Sequence, residues 1–323
     1  MPLPRSGDEL VQRLSERWRW FVYRVRFHPW TTRELPRIMS GALDYARLMR
    51  LDRPIGIWLL LWPTLWALWI AGRGKPSPSV FIIFVLGTVL MRSAGCAIND
   101  YADRSFDPHV ERTKNRPLAA GRISALEALI LFTVLSMTAL VLALQLNRLT
   151  LLLAVAGAFL AVSYPFIKRF LSVPQLYLGV TFGWGIPMAF AAQLERVPRV
   201  AWLLLIANVL WVTVYDTIYA MVDRDDDLKI GVRSTAILFG DSDRHIIAVL
   251  QLMTLLSLYL VGHMIHMGNW YYAGLCAGAA FFVYQLWLIR SRDREACFRA
   301  FLNNHYFGMS VFIGTLLQYQ FTR

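Results

Sequence analysis

Long apolar runs broken by short polar loops dominate this chain. The windows 55–72, 149–167, 172–193 and 270–289 carry no charged residue at all. About 20 mostly apolar residues are enough for a helix to cross the hydrocarbon of a bilayer. On that measure the pattern predicts nine helical spans, at 54–72, 79–98, 124–146, 149–167, 172–193, 200–222, 246–264, 270–290 and 300–320. The short alternating segments of a transmembrane β-barrel are not seen. The expected fold class is therefore all-α, a polytopic bundle.

The polar residues between the runs give the bundle an orientation. Arg47, Arg50 and Arg53 precede the first span. Spans two, four, six and eight each return to basic loops: Arg104, Arg112, Lys114, Arg116 and Arg122; Lys168 and Arg169; Arg224, Lys229, Arg233 and Arg244; Arg290, Arg292 and Arg294. Cytoplasmic loops carry the excess of Lys and Arg. The opposite loops are short and poorer in charge, apart from the basic GRGKP after the first span. The N-terminus is thus expected inside and the C-terminus outside.

Composition agrees. The 323 residues are 57% hydrophobic and 17% charged, and the mean hydropathy is +0.45. The net charge of +12 would suggest nucleic acid in a soluble protein. In a membrane chain the inside-loop arginines account for it, and anionic lipid head groups or an anionic substrate are the matching partners. Cys96, Cys276 and Cys297 are too far apart to suggest a disulfide framework or a zinc site. No signal peptide opens the chain. Residues 8–27 instead place Leu10, Leu14, Trp18, Val22 and Val25 at helical spacing among arginines. Two readings compete there, an amphipathic helix lying on the membrane and a flexible basic tail.

Two polar stretches stand apart. NDYADRSFD, residues 99–107, follows the second span, and YDTIYAMVDRDDD, residues 215–227, ends the sixth. Asp103 and Asp107 are four apart, as are Asp223 and Asp227. Residues at that spacing are neighbours on a helix, with Cβ atoms roughly 6 Å apart. Asn99, Asp103 and Asp107 are expected to form one stripe; Asp216, Tyr219, Asp223 and Asp227 form the other, with Asp100 and Asp226 alongside. The two acidic segments face the same side, so the pseudo-symmetry points to a site between repeats. Facing carboxylate stripes need a cation between them. Oxygen ligands without histidine favour Mg²⁺ over zinc. Mg²⁺ takes one or two carboxylates and completes its shell with water and substrate phosphates. Arg112, Lys114, Arg116, Lys229 and Arg233 follow the stripes and could hold the remaining phosphate charge. The constellation suits a diphosphate.

NDYADRSFD also fits the NDxxDxxxD motif of the UbiA superfamily of intramembrane prenyltransferases, and YAMVDRDDD fits its second motif. The resemblance runs on through RLDRPIGIWLLLWPTLWALW, YPFIKR, FGWGIPMAF and STAILFG and covers most of residues 44–323. It is greatest to the bacterial 4-hydroxybenzoate polyprenyltransferases of ubiquinone synthesis; residues 1–43 have no counterpart in it. The resemblance implies nine helices around a lipid-open cavity, capped by the loops after spans two and six, in the bacterial inner membrane. It implies a polyprenyl diphosphate and 4-hydroxybenzoate as substrates. Asn99, Asp103, Asp107, Asp223 and Asp227 carry over as the Mg²⁺ and diphosphate set, and Asp100, next to Asn99, is a further metal candidate. Arg92, with Asn99, matches the aromatic-acid position. One departure is Ala220, where many members carry a third aspartate; Asp216 stands one turn away.

Elementary chemistry bears on the same residues. Diphosphate leaves readily once its charge is neutralised, and the allylic cation left behind must be kept from water. The ring is attacked ortho to its hydroxyl, and Asp216 is a candidate for the base that takes the ring proton. Arg92 lies seven residues before Asn99, about 10 Å deeper on one face. An arginine within a span suggests function; snorkelling to the interface is the competing explanation. Tyr164 and Lys168 could face the cavity and the diphosphate, or be an ordinary aromatic and basic flank. Arg53 carries the same ambiguity. A cation- or proton-coupled transporter would also use membrane carboxylates, but its acids belong at the bilayer midplane. Most of the acids here lie at or beyond span ends, which favours the enzyme. Among enzymes of this kind, another acceptor is the alternative.

Overall fold

The computed structural model describes residues 35–109, 113–167, 170–171, 173–230 and 234–322. The segment 8–27, expected to be amphipathic, lies outside them. The chain divides into two compact units, Met1–Arg47 and Leu48–Arg323. Helix α1 (Leu35–Leu48) belongs to the first except for its last residue.

The second unit is helical, with no strand among the described residues. In chain order its helices are α2 (Ile55–Ala71), α3 (Pro78–Asp103), α4 (Ala125–Ala143), α5 (Arg148–Ile167), α6 (Pro174–Gly183), α7 (Gly185–Leu194), α8 (Arg199–Ile230), α9 (Thr235–Phe239), α10 (Asp243–Met264), α11 (Asn269–Leu288) and α12 (Arg294–Phe321). Short 3₁₀ turns at Asp107–His109, Gly240–Ser242 and Ile289–Ser291 join some of them.

Local sequence explains several boundaries. Pro78 and Pro174 open α3 and α6, where the missing N–H costs no helical bond. Ser124 and Glu127 close a capping box at the start of α4: the Ser124 hydroxyl accepts from Glu127 N–H at 3.2 Å, and the Glu127 carboxylate accepts from Ser124 N–H at 2.8 Å. The fifth predicted span is two helices, not one. Pro187 has no N–H for the carbonyl of Gly183, and the chain breaks at Trp184 between α6 and α7. The Trp184 indole then reaches α5, donating to the Leu153 carbonyl at 2.7 Å and packing against Gly157.

Among the described residues, six helical stretches are long and apolar enough to cross a membrane: Pro78–Asp103, Ala125–Ala143, Arg148–Ile167, Arg199–Lys229, Thr235–Met264 and Asn269–Ser291; Ile55–Ala71 is a shorter apolar helix. Their burial separates an inside from an outside. In α8, 67% of the apolar window is enclosed by protein, against 6% in α4 and 11% in α5. Leu126, Ile130, Val134 and Met137 on α4, and Leu152, Val155 and Phe159 on α5, are exposed. A contiguous apolar face of that extent cannot be left against water, so lipid covers it and the protein is an integral membrane protein.

The core gathers around α2, α8 and α12. Trp66 packs at a tilt against Trp211 and Trp211 against Phe307, and Phe307 stacks on Phe282, whose ring centroid is 4.0 Å away. Their polar atoms are satisfied inside: Trp66 Nε1 donates to the Gly308 carbonyl and Trp211 Nε1 to Asn304 Oδ1, both at 3.0 Å. Helices α11 and α12 approach closely at Gly274 and Gly314. A Cβ on Gly274 would lie 2.8 Å from Gly314 Cα, and one on Gly314 would lie 2.9 Å from Gly274 Cα. Small residues let helices in lipid pack backbone to backbone. Gly314→Leu should therefore destabilise the bundle by about 1–3 kcal/mol, read as a lowered midpoint of thermal unfolding in detergent. Gly87→Ala, which meets nothing within 4 Å, should not lower the midpoint, since alanine is the better helix former.

Candidate active site

The two acidic motifs lie at the ends of long helices. Asn99 and Asp103 sit in the last turns of α3, and the Asn99 amide donates to Asp103 Oδ2 at 3.1 Å. That bond confirms the shared face expected from their spacing. Asp107 departs from it. Helix α3 ends at Asp103, and Asp107 begins a 3₁₀ turn, off the helical stripe. The second stripe stays helical throughout, since α8 runs from Arg199 to Ile230 and carries Asp216, Tyr219, Asp223 and Asp227 on one helix.

An arginine network stands behind the first motif. Asp100 is buried, and Nη2 of Arg50 lies 2.9 Å from both of its oxygens. Arg116 Nη1 reaches Asp100 at 3.0 Å and Asp107 at 2.9 Å. Buried carboxylates are tolerated when cations and hydrogen bonds satisfy them. Thr113 adds a bond, its hydroxyl donating to the Asp107 carbonyl at 2.8 Å. Burial raises the Asp107 carboxyl above its ordinary range; Arg116 opposes that rise, and the charges of Asp100 and Asp103 add to it. Arg50 was legible only as one of the basic residues before the first span. Its partner is 50 positions away, a distance that no local pattern reveals.

Deeper in the bundle, Arg92 is held inside. A Cβ on Gly56 would collide with its guanidinium, so the absence of a side chain there makes its room. Its other side lies over the Phe182 ring, 5.6 Å from the centroid, and its Nε is buried without a hydrogen-bond partner. Tyr164, on α5, is within electrostatic range of Arg92, Asp103 and Asp216. Tyr215 is within range of Arg92, Asp216 and Tyr164, and its buried hydroxyl also has no hydrogen-bond partner. Residues from α3, α5 and α8 therefore converge on one polar locus in an apolar bundle. Tyr219 faces α12, its ring 4.6 Å from that of Phe301.

The remaining sequence candidates are less central. Lys114 and Lys229 are exposed, and Lys229 lies 3.6 Å from Asp226. Arg53 is exposed, with Asp52 4.0 Å away. Arg112, Lys168 and Arg233 lie outside the described residues. Ala220 is packed in an apolar cluster with Ile218, Met221 and Ile247. Among the described residues, no three acids, histidines or cysteines gather closely enough to cage a metal. Carboxylates spread over two helices suit an ion that takes few protein ligands and fills its shell from a bound phosphate, as Mg²⁺ does.

Comparison with known proteins places this geometry in a family. The UbiA prenyltransferase family profile matches residues 60–311. The 4-hydroxybenzoate octaprenyltransferase of Methylococcus capsulatus is 60% identical over 282 residues, 87% of this chain and 97% of that protein. That of Nitrosococcus oceani is 61% identical over 275 residues, 85% and 96% of the two chains. Among solved structures, the apo UbiA homolog from Aeropyrum pernix K1 aligns with a TM-score of 0.69 at 25% identity, covering 79% of this chain and 96% of that one. The UbiA homolog from Archaeoglobus fulgidus bound to GPP and Mg²⁺ aligns with a TM-score of 0.64 at 17% identity, over 83% and 99%; at that identity the likeness is one of fold. With its paired acidic motifs, its helical fold and these relatives in agreement, the chain belongs to the UbiA prenyltransferase family.

Proposed function

We propose that this chain transfers a polyprenyl group from polyprenyl diphosphate to the carbon ortho to the hydroxyl of 4-hydroxybenzoate, a step of ubiquinone synthesis. Relatives of that name at 58–61% identity support the reaction and the acceptor. The observation that carries the site is the convergence of Arg92, Asp103 and Asp216 around Tyr164. It brings an acid from each motif and a half-buried cation within electrostatic range of one tyrosine. The fold neighbour bound to GPP and Mg²⁺ supports a divalent metal here.

The full arrangement follows from that reading. Nine spans surround a cavity open to lipid, in the bacterial inner membrane. The N-terminus and the cap loops after spans two and six are cytoplasmic, and the C-terminus is periplasmic. Residues 44–323 are the catalytic domain, preceded by the extension 1–43. Asn99, Asp103, Asp223 and Asp227 hold Mg²⁺, with Asp107 at the edge of the set. Asp100 braces the first motif through Arg50 and Arg116. Lys114, Lys168, Lys229, Arg112 and Arg233 supply positive charge to the diphosphate.

Mg²⁺ held by those carboxylates would supply charge neutralisation to the departing diphosphate. The chain's own residues do the rest. Arg92, with Asn99 near it, takes the acceptor carboxylate, and its fixed guanidinium orients the ring. Tyr164 and Tyr219 border the reacting groups. The apolar bundle excludes water while the C–O bond to diphosphate breaks. The ring carbon beside the phenol forms the new C–C bond, and the proton displaced from that carbon passes to Asp216.

Membranes carrying the full chain should form 3-geranyl-4-hydroxybenzoate from geranyl diphosphate and 4-hydroxybenzoate with Mg²⁺ present, and none in EDTA. Undiminished product in EDTA would refute the metal assignment. Asp103→Ala and Asp223→Ala should each lower turnover by about 100-fold or more, with the unfolding midpoint preserved. Arg92→Ala should raise KM for the aromatic acid by about tenfold or more and leave KM for the diphosphate unchanged. An unaltered acceptor KM would remove Arg92 from the site.

A further inference from the structure

The second motif rests on a helix that outruns the membrane. Helix α8 has 32 residues, about 48 Å at 1.5 Å per residue, against hydrocarbon about 30 Å thick. Its last turns, Asp223 to Ile230, project past the predicted end of the span at 222. Something other than lipid must hold them.

A buried carboxylate near this end supplies the hold. Asp243, at the start of α10, is 0% exposed. Arg292 Nη2 meets Asp243 Oδ1 at 2.8 Å, and its Nε meets Oδ2 at 3.0 Å. Arg224 approaches the same carboxylate at 3.7 Å. The Arg292 guanidinium also donates to the Asp241 carbonyl at 2.8 Å. Arg292 is in the left-handed region, at φ 55°, which is uncommon for a residue with a side chain. Such an outlier directs attention to what the side chain is aimed at, and here that is Asp243. Beside it, Arg294 pairs with Asp226 at 3.0 Å. Close by, α8, α10 and the α11–α12 corner share an apolar cluster that includes Met221, Ile247, Ile289 and Cys297.

The placement on α8 is specific. Arg224 follows Asp223, and Asp226 precedes Asp227. At about 100° per residue, the two tethered positions flank the face that carries Asp223 and Asp227. One tether runs to α10 and the other to α12. Together they restrain the helix end against rotation about its axis, the motion that would turn Asp223 and Asp227 away from the first motif.

We propose that Asp243, Arg292 and Arg224, with the Asp226–Arg294 pair, form an ionic clamp that positions Asp223 and Asp227 for diphosphate binding. The members are positioning residues, and Asp226 is a tether despite lying within the acidic motif. The inference rests on the assignment of Asp223 and Asp227 to Mg²⁺–diphosphate made above.

The test uses the purified full chain in detergent, with Mg²⁺ and geranyl diphosphate as probe. Binding is read from the ligand-induced shift in unfolding midpoint, and order at 223–230 from amide hydrogen exchange. Arg292→Ala and Arg294→Glu should each weaken binding by about fivefold or more, the lower end of coupling between linked sites. Both should speed exchange at 223–230, and KM for 4-hydroxybenzoate should not move. Arg292→Lys should recover part of the binding, and Asp226→Arg combined with Arg294→Glu should recover most of what Arg294→Glu loses. If Arg292→Ala does not fold, the Asp226–Arg294 swap decides. The clamp is overturned if binding is unchanged in the folded variants, or if the swap recovers nothing. A fall in midpoint without a change in binding also overturns it, because support of the fold alone gives that result. Wild-type protein that fails to bind geranyl diphosphate with Mg²⁺ would overturn the metal assignment, and the clamp with it.

Discussion

A carboxylate at the edge of hydrocarbon has three ways to remain charged: water, a cation, or hydrogen bonds to its oxygens. The motif end of this bundle is arranged around that constraint. Asp100 and Asp107 are answered by Arg50 and Arg116. Asp243 is answered by Arg292 and Arg224, and Asp226 by Arg294. Asp103 takes the Asn99 amide. In each motif, then, some acids are secured by the chain's own arginines on the flanks. Between them lie Asp103, Asp223 and Asp227, the acids proposed above to meet Mg²⁺ and diphosphate.

That division explains why so acidic a cluster can sit on so apolar a scaffold. Burying several carboxylates together would drive them to take up protons or push the helices apart. Arginine suits the bracing role because its planar fork can serve two oxygens, or two carboxylates, at once. Arg116 does the latter, spanning Asp100 and Asp107 with a single nitrogen. Arg292 does the former beside the second motif, its Nε and Nη2 meeting the two oxygens of Asp243. The two motifs are thus alike in layout although their supporting contacts share no sequence pattern.

Much of the helical layout could be read from the chain, because apolar runs and their basic flanks are local signals. The shared face of Asn99 and Asp103 was equally legible, since a four-residue spacing becomes a contact as soon as the segment is helical. The same rule misplaced Asp107, because spacing does not say where a helix ends, and α3 ends at Asp103. The break at Trp184 was only hinted at by the Gly-Trp-Gly-Ile-Pro sequence. Its location follows from the hydrogen bond that Pro187 cannot donate. Arg50 and Asp100, or Asp243 and Arg292, are joined across about fifty residues, and only the packing of whole helices brings such pairs together. The supports of the site were therefore hidden, while its acids were in plain view.

Arg92 is where the constraint bears hardest. A snorkelling arginine extends along its helix and delivers its guanidinium to the interface. Arg92 instead lies in the space left by the missing side chain of Gly56, with the Phe182 ring on its other side and Nε shut off from solvent. Each of these contacts fixes the guanidinium without neutralising it. Aromatic faces attract cations but leave the charge intact, and glycine offers only room. A charge held in low-dielectric surroundings is costly unless anions lie near it, and that cost favours a carboxylate that fits. The acceptor proposed above is a small aromatic acid, whose carboxylate is such an anion. Arg92 thus shares the surroundings of Tyr164 with Asp103 and Asp216, and it is the residue proposed above to take the acceptor carboxylate.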